Sequence, residues 1–274
     1  MGLPDYRRIH LRQHGGRDRV VFAPREDLLL QQRRALTEMR AAAARVGVRP
    51  SLWSHSQRGR SNISHAREHA GQALLITMDL QDFFGHVTTE MARATPLEVP
   101  DICFLEGVLP PGAPTSPFLA DLAVAPLDAK LAKLGARYSR YVDDLAFSWS
   151  RRPAHVRAFV KEVEACCEAA GFPVNCRKTL VMPRCVRQVI CGLVTNLSRG
   201  APVRAPRKTW QQLRAAVNNL EADVWHLWSS KGIEWTKQFD QAKALVHHLA
   251  YCEPKKAEPY IERLKALDAW RDMR

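Results

Sequence analysis

Residues 137–150 read RYSRYVDDLAFSWS, two stretches of strand-forming residues separated by a pair of aspartates. No other segment constrains the fold as tightly. Tyr141-Val142 on one side and Leu145-Ala146-Phe147 on the other suit a sheet, whereas aspartate is depleted in strands. The segment therefore predicts strand, tight turn, strand, with Asp143 and Asp144 at the turn. That placement has a cost. Two carboxylates about 4 Å apart repel by about 4 kcal/mol at an effective dielectric of about 20. A turn accounts for one aspartate, and a bound cation accounts for both.

The flanking segments supply the rest of a sheet. Residues 73–79 (ALLITMD) form a short apolar run ending in an acid, as a buried strand does. Strand-like segments return at 179–182 and 188–195. After Pro114-Thr115-Ser116-Pro117, one helix is expected through Leu119, Leu122, Leu127, Leu131 and Leu134, with Gly135 at its C′ position. Pro153 opens another through Val156, Phe159, Val160 and Val163, stopped by Gly171. Towards the N-terminus, 19–22 reads as a strand and Pro24 introduces a helix carrying Leu28, Leu29, Leu36 and Met39. The order β, α, β-hairpin, α, β predicts an α+β fold, an antiparallel sheet backed by helices, with Asp79 beside the hairpin tip.

Beyond the Gly- and Pro-containing segment 198–206 the pattern changes. Trp210, Leu213, Val217, Leu220, Val224 and Leu227 recur at spacings of three and four, a helical stripe. Further helices are expected at 236–251 and 256–271, split at Glu253-Pro254. The 274 residues carry a formal net charge of +13, which favours a polyanionic partner, nucleic acid above all. Arginines supply all the positive side chains up to Arg67, the stretch 71–150 is acid-rich, and the chain turns basic again after Arg151. Seven cysteines, an odd number without a CxxC pair, exclude a complete disulfide framework and lack zinc-site spacing. With no signal peptide and no membrane-spanning run, a reducing cytoplasm is the expected location.

Asp79, Asp143 and Asp144 on adjoining strands are what two-metal phosphoryl transfer requires. Mg²⁺ takes hard oxygen ligands at about 2.0–2.1 Å. Two such ions about 3.5–4 Å apart serve the attacking and leaving oxygens of an in-line displacement.

In these motifs the chain resembles reverse transcriptases. YVDD (141–144) resembles their catalytic hairpin, MDLQDFF (78–84) their first catalytic motif, LPPGAPTSPFLADL (109–122) their template- and nucleotide-contacting motif, and NCRKT (175–179) the segment whose lysine lies near the triphosphate. GRSNISHAREH (59–69) and ICGLVTN (190–196) resemble retron segments, with His65 where Asn is usual and Ile190-Cys191 in place of Val-Thr. The resemblance implies a right-hand polymerase, with fingers at 1–73 and 86–113, palm at 74–198 and a small helical thumb at 199–274. It implies Asp79, Asp143 and Asp144 as Mg²⁺ ligands, with Mn²⁺ as a substitute, and Lys178 as a catalytic lysine. Arg19 would clamp the triphosphate, and Phe84 would exclude a ribose 2′-hydroxyl. Gly112 and Ala113 would let the backbone approach the incoming base pair. Arg204, Arg207, Lys208 and Arg214 are the expected RNA contacts of the thumb. The implied partners are dNTPs, a structured non-coding RNA serving as template and primer, its DNA product, and a separately encoded effector protein in phage defence, with no membrane. Two alternatives stay open at this point: a reverse transcriptase with a different primer and template (defence-, CRISPR- or intron-derived), and a catalytically idle RNA-binding scaffold.

Overall fold

The computed structural model describes residues 5–12, 18–196, 202–228 and 231–272, without the side chains of Arg12, Asp18, Arg19, Leu227, Trp228 and Asp272. The chain divides into two compact units, Met1–His65 with Ala73–Pro183, and Ala66–Gln72 with Arg184–Arg274.

The first unit opens with an antiparallel pair, β1 (Tyr6–Arg12) and β2 (Asp18–Pro24). Only β2 is foreshadowed by the sequence pattern. β1 reads YRRIHLR, and of its described side chains only Tyr6 is buried, so no apolar alternation marks it. Helix α1 (Glu26–Arg45) buries Leu28, Gln32, Ala35, Met39 and Ala43 along one stripe, and carries Glu26 and Asp27 in its first turn, where acids favour the helix dipole. Gln32 sits in that apolar stripe because its side-chain amide donates to the Tyr6 hydroxyl (2.8 Å) and the Ile102 carbonyl (2.7 Å).

After α2 (Asn62–Glu68) come β3 (Leu74–Asp79), α3 (Thr89–Arg93), α4 (Ser116–Ala123), α5 (Ala125–Leu131), β4 (Arg137–Tyr141), β5 (Asp144–Trp149), α6 (Val156–Ala169) and β6 (Leu180–Pro183). The four strands β3–β6 form one sheet in the order β4-β5-β3-β6, every pairing antiparallel. Leu74, Ile76 and Met78 of β3 and Leu145 and Phe147 of β5 share a core with Leu119 and Leu122 of α4, Leu127 and Leu131 of α5, and Phe159 and Val163 of α6. The helix expected from 117 to 134 is two helices. Pro126 lacks the N–H that a continuous helix needs, but fits the first turn of a new one, which begins at Ala125. Gly171, with φ 81°, directly follows the C-cap Ala170 of α6, as a helix-terminating glycine does. Gly135 also has positive φ, 79°, but α5 is already capped at Ala132, so Gly135 turns the chain three residues later and is not at C′.

The second unit begins with a small hairpin, β7 (Val189–Ile190) and β8 (Leu193–Val194), where one strand was expected over 188–195. Cys191 and Gly192 both have positive φ, 45° and 77°, the signature of a two-residue type I′ turn. Helices α7 (Arg207–Ala222), α8 (Gly232–Cys252) and α9 (Pro254–Asp272) follow. Trp210, Leu213, Val217 and Leu220 of α7 pack with Trp235, Phe239, Val246 and Leu249 of α8 and Leu264 and Leu267 of α9. The boundary expected at 198/199 falls inside this unit. It starts at Arg184 and takes in Ala66–Gln72, where the Gly71 N–H donates to the Thr195 carbonyl (3.0 Å). No helix among the described residues is long and apolar enough to cross a membrane, and all seven cysteines are free thiols.

Candidate active site

Asp79 is the last residue of β3 and lies directly opposite Asp144, the first residue of β5. Opposed residues of an antiparallel pair project to the same face. The β4–β5 connection is a two-residue turn, Val142-Asp143, closed by Tyr141 opposite Asp144. The Leu80 N–H donates to the Asp143 carbonyl (2.9 Å), which ties the hairpin tip to the end of β3. Val142 has φ 57° and Asp143 does not share that sign, so the turn is II′-like, with a β-branched residue where glycine is usual. Asp79 is buried, and Asp143 and Asp144 are half-buried.

The NCRKT segment is held against this corner by its backbone. Asn175 N–H donates to the Asp79 carbonyl (2.8 Å), and the chain then makes a single 3-10 turn at Cys176–Lys178. That turn delivers the Lys178 ammonium to both oxygens of the Asp79 carboxylate, at 2.8 and 2.9 Å. The lysine side chain is 58% exposed and that of Asp79 11%, so a solvated cation compensates an enclosed anion. Among the described residues, no group of three or more His, Cys, Asp and Glu side chains is gathered to hold a metal ion. The donor chemistry nevertheless fits a hard divalent cation. Asp79 and Asp144 are carboxylates on one face, the third acid, Asp143, is the chain neighbour of Asp144, and the counter-charge on Asp79 is the solvent-exposed ammonium of Lys178.

Arg140, beneath the hairpin, is the functional candidate that sequence patterning passed over. It is fully buried, and its guanidinium bonds Asp128 through Nε (3.0 Å to Oδ1) and Nη2 (2.9 Å to Oδ2), and Asp121 through Nη2 (2.9 Å). Burial favours loss of the proton, but Asp128 and then Asp121 more than offset it, so the guanidinium stays charged. The one available signal was a second arginine within the five-residue strand RYSRY, where Arg137 is exposed and Arg140 is buried.

Phe84, five residues past Asp79, is half-buried, its ring 5.4 Å from that of Phe83. Gly112 has φ 111°, and a Cβ there would meet Val21 Cγ1 at 2.6 Å and the Phe22 carbonyl oxygen at 2.9 Å, so only glycine fits. The Phe22 N–H also donates to the Pro111 carbonyl (2.8 Å), so this loop lies against β2. Ala113 is buried, which points its methyl into the protein. Arg19 belongs to β2, but its side chain lies outside the described residues. His65 and His69 are buried, and His65 shares a 2.7 Å hydrogen bond with Ser139 and stacks on Tyr141 at 6.3 Å.

In the second unit, Arg204 and Arg207 line a cavity of about 450 Å³ together with Arg187, Lys256 and Glu253. Lys208 and Arg214 are exposed on α7 and do not line it. Arg187 and Lys256 carry no sequence signal, since they lie well away in the chain from the 204–208 cluster. The Lys256 ammonium is 4.3 Å from the Trp210 ring centroid, and Trp210 Nε1 donates to Glu253 (2.9 Å), which fixes that wall.

Comparison with known proteins places these features in context. Residues 30–193, more than half of the chain, match the reverse transcriptase (RNA-dependent DNA polymerase) family. The chain is 28% identical to the retron Mx162 reverse transcriptase of Myxococcus xanthus, over 93% of its own length and 59% of the relative's. It is 31% identical to the retron Mx65 reverse transcriptase of the same organism, over 69% and 50%. It thus spans about half the length of these relatives. Among solved structures, the foamy viral protease-reverse transcriptase in complex with dsDNA aligns with a TM-score of 0.46 at 15% identity, over 96% of this chain and 51% of that one.

Proposed function

Because the chain belongs to the reverse transcriptase (RNA-dependent DNA polymerase) family, we propose that it adds deoxynucleotides to a 3′ end on an RNA template, with Asp79, Asp143 and Asp144 as its catalytic carboxylates. The reading rests on the β3–β5 register, which sets Asp79 opposite Asp144 beside a two-residue turn that carries Asp143. These three acids would hold Mg²⁺, with Mn²⁺ as a substitute, and the bound metal would supply positive charge to activate the attacking hydroxyl and stabilise the leaving pyrophosphate.

The chain's own groups do the rest. Lys178 holds a proton at the edge of the site and delivers it, or its charge, to the pyrophosphate oxygen. Arg19 on β2 grips the triphosphate, for which a planar guanidinium fork is suited. Gly112 keeps its loop against β2, so that the triphosphate grip and the nucleotide-facing loop around Ala113 move together. Phe84 excludes the 2′-hydroxyl of a ribonucleotide. In this reading fingers occupy 1–73 and 86–113, the palm 74–198 and the thumb 199–274. The thumb holds RNA phosphates with Arg204, Arg207, Lys208 and Arg214, and the cavity geometry adds Arg187 and Lys256.

The retron relatives favour a dedicated structured RNA as both template and primer, with priming from an internal 2′-hydroxyl, a branched RNA–DNA product, and work in the cytoplasm beside a separately encoded effector in phage defence. The test is to purify the protein from its host and sequence the bound nucleic acid, with and without RNase and debranching treatment. A single RNA species joined to complementary DNA through a debranchable linkage supports the reading. Bound RNA with no attached DNA, in a protein that does not extend any RNA-templated primer with dNTPs, contradicts it and favours the idle scaffold.

A further inference from the structure

We propose that Arg140 is a positioning residue, whose guanidinium holds the Val142–Asp143 turn in the conformation that presents the two hairpin aspartates; the inference rests on the polymerase reading above. A fully buried arginine is tolerated only when it is paired and hydrogen-bonded. Asp128 and Asp121 meet that requirement with the Nε and Nη2 donors. The remaining arm does something that the ion triad does not need. Nη1 donates to the carbonyl of Val142 at 2.8 Å. Val142 is the residue with φ 57°, a backbone state that a β-branched side chain rarely adopts without support. A charge-assisted hydrogen bond therefore ends on the strained peptide that leads into Asp143.

The guanidinium is itself immobilised. Asp121 accepts from Ser54 Oγ (2.9 Å) and Ser56 Oγ (3.2 Å), and Asp128 accepts from the Tyr138 hydroxyl (2.5 Å). The Arg140 backbone is held on its outer edge, its N–H donating to the Trp53 carbonyl (2.9 Å) and its carbonyl accepting from the His55 N–H (2.7 Å). The Phe83 ring lies 5.6 Å from the guanidinium carbon. A rigid cation at a fixed distance from Val142 selects the left-handed turn over the relaxed alternatives that a valine prefers.

The hypothesis separates from plain structural support because glycine adopts the left-handed state freely. Arg140→Met combined with Asp121→Asn and Asp128→Asn removes the guanidinium without stranding buried carboxylates. In this triple variant, kcat for dNTP incorporation on an RNA template should fall by roughly 10²-fold, the scale of a 1 Å misplacement, with little change in KM. Mn²⁺ binding to the free protein, read by electron paramagnetic resonance, should weaken in parallel. Adding Val142→Gly should recover most of the kcat and Mn²⁺ affinity while leaving the melting temperature low. Unchanged kcat and Mn²⁺ affinity in the folded triple variant, or losses that Val142→Gly does not recover, would overturn the proposal. If the triple variant does not fold, Ser54→Ala, which removes the shorter of the two serine hydrogen bonds to Asp121 but keeps the triad, should give a smaller loss of both quantities, also recovered by Val142→Gly; no loss, or no recovery, overturns it. A wild-type protein that binds Mn²⁺ yet incorporates no dNTP would instead refute the polymerase reading, and the Mn²⁺ arm would still judge Arg140.

Discussion

Phe84 and His55 are single side chains whose surroundings make direct predictions. Phe84 is five residues past Asp79 and only half-buried, so its ring has a face to offer a sugar. Phe84→Ala or Phe84→Val should raise rNTP incorporation relative to dNTP, measured by single-nucleotide extension; an unchanged ratio removes Phe84 from the nucleotide pocket. His55 abuts the hairpin support, its Nδ1 sharing a 2.7 Å hydrogen bond with Ser64. Burial, aided by Arg60, lowers its pKa from 6.5 to about 4. Between those values the unfolded chain binds more protons than the native one, so its contribution is complete above pH 6.5 and is lost as pH falls towards 4, by at most about 1.4 kcal/mol per unit. His55→Gln should flatten the fall in stability between pH 6.5 and 4, as followed by urea denaturation; an identical slope would mean that His55 is not held neutral by the fold.

The secondary elements differ in how plainly the sequence announces them, and the difference is physical. β3, β5 and α6 are legible because they carry long apolar residues with a clear period, and α7 because its stripe is complete from Trp210 to Leu220. β1 is not, since Arg7, Arg8 and His10 leave it no apolar alternation. The α4–α5 break was hidden by a leucine pattern that survives the interruption, and the β7–β8 turn by Cys191, an unusual occupant of a left-handed position. At the candidate site, the nearness of Asp79, Asp144 and Lys178 was legible from the order and spacing of the motifs. Arg140 and Lys256 were not, because their roles depend on contacts made far along the chain. Element integrity has its own test. Leu145 of β5 and Leu213 of α7 are both fully buried, one in each unit. Each Leu→Ala change should cost about 2–5 kcal/mol. By hydrogen exchange, Leu213→Ala should deprotect α7–α9 and Leu145→Ala the β3–β6 sheet; the reverse assignment, or uniform loss in both, would contradict the two-unit division.

Across the whole molecule, the net charge of +13 favours a polyanionic partner, and the proposed function assigns affinity and chemistry to different residues. Neutralising Arg204 and Arg207, which share one cavity, should weaken binding of the cognate RNA and flatten its salt dependence by roughly 0.7–0.9 log–log units per lost phosphate contact. Extension of a generic primer–template should suffer less. If affinity and slope are both unchanged, RNA recognition lies elsewhere, and the cavity lined by Arg40, Arg49 and Arg58 in the first unit is the next surface to test. The central claim, that affinity and chemistry reside in different residues, is tested most directly by Asp143→Asn with Asp144→Asn. Primer extension on an RNA template with dNTPs and Mg²⁺ should be abolished in this double variant, while RNA affinity at fixed salt stays close to that of the wild type. DNA synthesis persisting at an appreciable rate would contradict the account.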